Sequence, residues 1–335
     1  MDSSELRARR AEQARRRRAG RRRSALAVVV ILVAVIVIVV VLSSGGSSGG
    51  AAVAKHAQVG TSPRGRARSP KVSAASHVVS TGGVISTVSS TARSGAPGTT
   101  PVPVLMYHVI AAPPPGAPFP GLYVPASEFA AQMQALKAAG WHAVTLDQLE
   151  AYWTRGVPLG PGKPIVLTFD NGYHSQYAEA FPILRALGWV GNENMQLTGL
   201  PPSQGGLTNA QIRAMVAAGW ELDTQGISHA DLVTLDASEL HDQVAVARRT
   251  IQRRFHVPVN WFCYPSGDYD ATVIAAVRAA GFVGSTTVVP GWARPTDDLY
   301  TLHRLRVLGG TTPAGLLAQI SGAQGDPPPP PSYTA

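Results

Sequence analysis

Three short segments concentrate the side chains able to do chemistry. Thr168-Phe169-Asp170-Asn171-Gly172-Tyr173 sets a carboxylate before a glycine that permits a sharp turn. Glu221-Leu222-Asp223-Thr224-Gln225-Gly226-Ile227-Ser228-His229 joins two acids, an amide and an imidazole, and Phe262-Cys263-Tyr264-Pro265-Ser266-Gly267-Asp268-Tyr269 flanks a turn with aromatics. Each carries its polar residues where a β-rich run ends, and in an α/β barrel functional side chains project from the C-terminal ends of the strands. Carboxylates with imidazoles suit a divalent cation, so Asp170, His174, Glu193, Asp223 and His229 would suffice for one if the fold brought them together. Cys263 is the only cysteine, which rules out disulfides within the chain and a cysteine metal cluster; its apolar setting is that of a buried small hydrophobe.

Positioning these segments requires alternating strands and helices, and the pattern supplies them. Val102 to Tyr107 reads as a strand, Ser127 as the cap of a helix to Ala139, and Trp141 to Thr145 and Ile165 to Phe169 as further strands. Gln176 to Leu187 is helical with an expected kink at Pro182, and Thr208 to Ala218 is a helix closed by Gly219. Asp236 with Glu239 forms a capping box for a helix reaching Phe255; Asp270 caps another, and Thr312 with Pro313 starts the last. About 235 residues of this alternation fit one α/β domain built as a distorted (β/α) barrel.

The ends of the chain differ from this domain. Of 29 basic residues, ten are arginines of residues 1–23 and six lie in 43–100, leaving 13 against 17 acids in 101–335. The domain is therefore mildly acidic, and without a basic stripe on the folded part no nucleic acid is expected as a partner. Ala25 to Leu42 is an unbroken apolar run that would reach about 27 Å as a helix. With arginines on its N-terminal side it predicts a single-pass anchor with a cytoplasmic N-terminus; a cleaved signal peptide is the competing reading. The expected organisation is a cytoplasmic tail (1–23), a transmembrane signal anchor (24–42), a flexible extracytoplasmic linker (43–100), the catalytic-type domain (101–322) and a Pro-rich solvated tail (323–335).

In family order, Val104-Leu105-Met106-Tyr107-His108, the Thr-Phe-Asp turn, Ser228-His229 with Leu232, Tyr264-Pro265-Ser266-Gly267-Asp268-Tyr269 and Arg304-Leu305-Arg306-Val307 resemble the motifs of the polysaccharide deacetylases, the NodB-homology domain of carbohydrate esterase family 4. The resemblance spans roughly Pro101 to Ile320. It implies hydrolysis of acetyl groups from a glycan with a Zn-type divalent metal, Asp170 in the position of the catalytic base, the backbone at Ser266 as oxyanion donor, and Arg304 as a catalytic group. Tyr173, Tyr264, His108 and Trp292 are the implied substrate contacts. His229 matches a metal ligand, but Asn171 and Gln225 stand where the family has its ligand Asp and first ligand His. Two neutral amides in place of a carboxylate and an imidazole leave one strong donor.

Each of these residues also has an ordinary explanation. Asp170 can bind the N–H groups of its own turn, His108 can bond backbone, Trp292, Trp261 and Tyr269 can be core aromatics, and either Arg304 or Arg306 can pair Asp170. The resulting expectation is a membrane-anchored extracytoplasmic protein directed at cell-envelope polysaccharide or peptidoglycan, with metal-dependent deacetylation impaired or lost and glycan binding kept. The alternative is an active N-deacetylase with a rebuilt metal site.

Overall fold

The computed structural model describes residues 95–200 and 204–334. The expected cytoplasmic tail, the apolar run and nearly all of the linker lie outside the described residues, among which no helix is long and apolar enough to cross a membrane.

Among the described residues nine strands make one sheet: β1 (Val102–Tyr107), β2 (Trp141–Val144), β3 (Lys163–Asn171), β4 (Asn192–Met195), β5 (Glu221–Thr224), β6 (Trp261–Cys263), β7 (Gly284–Thr286), β8 (Trp292–Ala293) and β9 (Leu305–Arg306). The order runs β7-β6-β5-β4-β3-β1-β8, with β2 also on β3 and β9 also on β1. All pairings are parallel except β1 with β8. The sheet curls into a half-barrel, in keeping with the distorted (β/α) barrel expected. From β7 back to β1 the ring is spanned only by a bridge from Thr286 to Leu302 and by the two-residue β9.

Helices cover the outside: α1 (Ala126–Ala138), α2 (Leu146–Arg155), α3 (Phe181–Leu187), α4 (Asn209–Ala217), α5 (Ala237–His241), α6 (Ala247–Phe255), α7 (Ala271–Ala279) and α8 (Pro313–Gly322). Thr208 and Asp236 close capping boxes with Gln211 and Glu239, and Asp270 and Thr312 cap α7 and α8, each satisfying a free N–H of the first turn. Ser127 does not cap α1: Pro125 holds the cap position without a side-chain bond. Pro182 sits in the first turn of α3, where its missing N–H is harmless, and a π turn over Gln176–Ala180 absorbs the expected kink. Helix α2 has no counterpart in the sequence reading, although Thr145 and Gln148 form a capping box and Gly156 ends it in the left-handed region.

Pairing registers set which residues share a face. Phe169 and Leu222 point outward into the helix-covered core with Leu105, Tyr107, Phe129 and Trp220 on one side and Phe262, Val273 and Val277 on the other. Thr168, Asp170, Asn192, Asn194, Glu221 and Asp223 register together on the inner face. Below them an apolar floor of Val104, Val166, Trp261 and Leu302 closes the curl. Asp147 of α2 seals the rim there, accepting from the Trp261 indole (3.0 Å) and Asn260 (2.8 Å) while its N–H donates to Glu221 (2.9 Å). The Pro-rich tail, expected to be solvated, lies against the domain. Tyr333 exchanges two 2.9 Å backbone hydrogen bonds with Tyr269, whose hydroxyl donates to the Pro330 carbonyl at 2.6 Å. Proline's lack of an N–H leaves its carbonyl free to accept, which the composition argument overlooks.

The inner acids carry a pH signature. Burial, with Asp223 and Asp147 adding repulsion, raises the pKa of Glu221. Burial pushes Asp223 up to about 7 against the pull of Glu221 and the Trp261 N–H. The folded chain thus holds protons that the unfolded chain has released, and the associated stability is present below about pH 4 and lost as pH rises through about 7. Thermal midpoints should fall between about pH 5 and about pH 8, and Glu221→Gln should flatten that slope. Midpoints that rise over this range would show the pair to be ionised throughout.

Candidate active site

At the C-terminal ends of the strands a cavity of about 450 Å³ opens, with His108, Asp170, Asn171, Gln196, Gln225 and His229 as its polar lining and Val109, Phe119, Leu122, Leu200 and Val288 among its apolar lining. Tyr173, Tyr264 and Ser266 also line it. Of the four non-glycine residues with positive φ among the described residues, three belong to it: Asn171 (81°), His229 (54°) and Ser266 (57°). Such conformations disfavour L-residues and persist where surrounding structure imposes them, most often at functional sites. Gly172 (86°) and Gly267 (84°) continue the first and last of these turns, and a Cβ on Gly267 would collide with Val288.

Asp170, ending β3, is 1% exposed and held by a guanidinium with no exposure at all. Arg304 Nη1 donates to Asp170 Oδ1 at 2.7 Å and Nη2 to Oδ2 at 2.9 Å. Its other three N–H groups reach the Thr287 carbonyl (2.7 Å), Thr168 Oγ1 (3.0 Å) and Cys263 Sγ (3.2 Å), so all five donors are used. Asn194 gives Asp170 a further hydrogen bond at 2.9 Å. Burial alone would raise the Asp170 pKa, but the charge and hydrogen bonds of Arg304, with His108 and Asn194, outweigh it and bring it down to about 2.

His108 Nε2 stands 4.0 Å from Asp170 Oδ2, and burial, only partly offset by Asp170, lowers its pKa to about 4, so the ring is neutral at pH 7. Gln176 ties the two strand ends, donating to the His108 and Asp170 carbonyls at 2.8 Å each. His229 is likewise kept neutral mainly by burial.

The resemblance places a divalent metal among Asn171, Gln225 and His229, all three of which line the cavity. The donor set does not fit one. Asn171 spends its amide N–H on Gln196 (2.8 Å), Gln225 Nε2 lies 3.3 Å from His229 Nε2, and the carboxylate of Asp170 is engaged by Arg304 and Asn194. One imidazole with two neutral amides falls short of the three His, Cys or carboxylate donors that a Zn-type ion takes. Nor do the acids form a replacement. His174 contacts Gln211 at the surface, Glu193 lies against Ile212 and Met215 of α4, and Asp223 accepts from the Trp261 and Asn260 N–H groups. Among the described residues no group of three or more His, Cys, Asp or Glu could hold a metal.

Of the residues expected here, Trp292 is the one displaced into the core. Its position on the antiparallel β8 puts it against Trp141, with its indole donating to the Ile320 carbonyl at 2.7 Å. Arg304 lies behind the cavity and acts through Asp170, while the Tyr264 hydroxyl turns away to the Tyr300 carbonyl (2.9 Å). Sequence reasoning missed Gln176, Gln196 and Phe119. Gln196 directly follows β4, so the strand-end rule applied to that strand would have found it.

A curled parallel half-barrel with an acid at the end of its third strand and a histidine at the end of its first defines the class. Residues 159–285 match the model of the polysaccharide deacetylase family. It is 27% identical over 219 residues to YxkH of Bacillus subtilis, named as a polysaccharide deacetylase, covering 65% of this chain and 76% of that protein. The deacetylase PplD of Streptococcus pyogenes, solved with acetate, superposes with a TM-score of 0.61 at 25% identity over 66% of this chain and 99% of that one. BC0361 of Bacillus cereus shares the fold, with a TM-score of 0.58 at 24% identity over 66% of this chain and 69% of its own. A stretch of 58 residues, 17% of this chain, is 43% identical to 8% of the poly-beta-1,6-N-acetyl-D-glucosamine N-deacetylase of Escherichia coli K12.

Arg304→Met should strand the Asp170 carboxylate in the interior and lower the unfolding free energy by about 3–5 kcal/mol. Combining it with Asp170→Asn should recover most of that loss. Urea unfolding of the two variants decides the matter; a single-variant loss below about 1 kcal/mol would mean that Asp170 finds water or another partner.

Proposed function

We propose that the protein is a membrane-anchored, extracytoplasmic member of the polysaccharide deacetylase family that binds cell-envelope glycan and has lost or weakened metal-dependent deacetylation. The observation that carries this reading is that Asn171 and Gln225 line the cavity beside His229, so its metal-ligand positions present two amides and one imidazole. A carboxylate held at about 2 is a weak base toward ordinary water, and hydrolysis by Asp170 would need water already acidified by a metal. The cavity itself is kept: its size is in the range of small-ligand pockets, its amides and neutral imidazoles suit sugar hydroxyls, and Tyr173 and Phe119 offer aromatic faces. Export follows from Arg-flanked Ala25 to Leu42 and the low-complexity stretch to Thr100, which as a flexible coil would extend roughly 40 Å and keep the domain near the outer face of the membrane.

The names of the relatives favour a second reading, an active hydrolase. It draws on the retained Asp170, His108 and the strained turn at Ser266, whose backbone N–H would stabilise an oxyanion.

Elemental analysis of protein purified without chelator, followed by zinc titration, separates the two. The binding reading expects no stoichiometric metal, no acetate release from N-acetylated oligosaccharides, and glycan retention that survives chelator. One tightly held metal per chain with chelator-sensitive acetate release would replace it with the hydrolase reading. The double variant Asn171→Asp, Gln225→His should gain zinc affinity by at least about 10 to 100-fold, since it restores two ligands.

Anchoring is checked on intact cells. The domain should remain in the membrane pellet and be digested by protease added outside. Release into the medium would indicate a cleaved signal peptide, and protection from protease would place the domain inside.

A further inference from the structure

Arg306 is the cavity residue that neither the fold nor the site described so far uses. It lies on β9 in register with Met106, and both residues line the cavity. Its neighbours Leu305 and Val307 are buried in the core, so the strand is fixed, while the Arg306 side chain is exposed. The carbonyl of Arg306 accepts from Gln319 at 3.0 Å, but among the described residues its guanidinium has no hydrogen-bond or ion-pair partner. Its charge reaches the polar lining, being one of the influences that depress the pKa of His108. Arg304, two residues earlier, shows the contrast: buried, with every donor satisfied.

The other charges of the lining cancel or vanish. Asp170 is neutralised by Arg304, and Asn171 and Gln225 are neutral amides. What remains is one positive charge on a planar fork at the edge of a cavity otherwise built of amides, imidazoles and apolar walls.

We propose that Arg306 selects a glycan bearing a carboxylate, whether the lactyl ether of a muramic acid or the acid of a uronic sugar. This rests on the glycan-binding reading above and names the class of ligand. A guanidinium donates two parallel hydrogen bonds to a carboxylate. A single cation matches a monoanion, and the lining offers no second cation for a dianion such as a phosphate monoester.

The test uses the full chain in detergent with three fluorescent tetrasaccharides of equal length. One is neutral chitotetraose, one alternates N-acetylglucosamine with N-acetylmuramic acid, and one alternates N-acetylglucosamine with glucuronic acid. Dissociation constants are read by anisotropy at low and high salt. At least one carboxylated probe should bind about tenfold or more tightly than chitotetraose, consistent with a charge-assisted hydrogen bond, and the ratio should shrink with salt. The ratio should fall to near one in Arg306→Ala and be partly kept in Arg306→Lys. Which acidic probe wins distinguishes the lactyl group from the ring acid. Equal binding of neutral and acidic probes, or a preference that survives in Arg306→Ala, overturns the assignment and leaves glycan binding standing. Failure of all three probes to bind overturns both.

Discussion

The two-pronged contact between Arg304 and Asp170 is the constraint around which the domain is arranged. A buried guanidinium is tolerable only when all its donors are met, and here they are met by four residues from three places: Thr168 and Asp170 of β3, Cys263 of β6, and the Thr287 carbonyl just past β7. These partners come from opposite sides of the curl. The contact therefore helps to set the curvature of a sheet whose return from β7 to β1 has little backbone pairing of its own. It also decides the chemistry, because a carboxylate so firmly paired stays ionised at neutral pH yet has little appetite for a proton.

Much of the fold was legible because local signals coincided with the global pattern. Thr208, Asp236, Asp270 and Thr312 cap their helices as their types and positions require, and β1 and β3 show as runs of apolar residues before a polar cluster. Helix α2 escaped because Leu146 to Arg155 follows β2 without a turn residue between them, Thr145 serving as strand end and helix cap at once. Strand β4 offers no apolar run to read, three of its four residues being polar. They are buried because the inner face of the curl is itself polar, Asn192 and Asn194 lying beside Asp223 and Asp170.

The site was legible to a similar degree. Strand ends announced Asp170, His108 and Ser266, and the loop after β5 announced His229, because a parallel sheet sends its chemistry to one edge. Which arginine would turn inward was not decidable from alternation alone, since β9 has only two residues. In the structure Leu305 enters the core, so 304 and 306 share the opposite face and differ in depth along it: Arg304 is sealed behind the acid and Arg306 stands exposed at the cavity edge. Trp292, expected as a substrate contact, is carried away from the cavity by the antiparallel pairing of β8 with β1.

Cys263 gives the domain an internal reporter. The thiol is wholly buried, 3.2 Å from Arg304 and 3.5 Å from Asp170, and burial keeps it protonated well above the usual thiol range. A protonated, inaccessible thiol does not react with disulfides or alkylating agents. As the chain has no other cysteine, any labelling of the native protein timestamps an excursion in which the centre of the half-barrel has come apart.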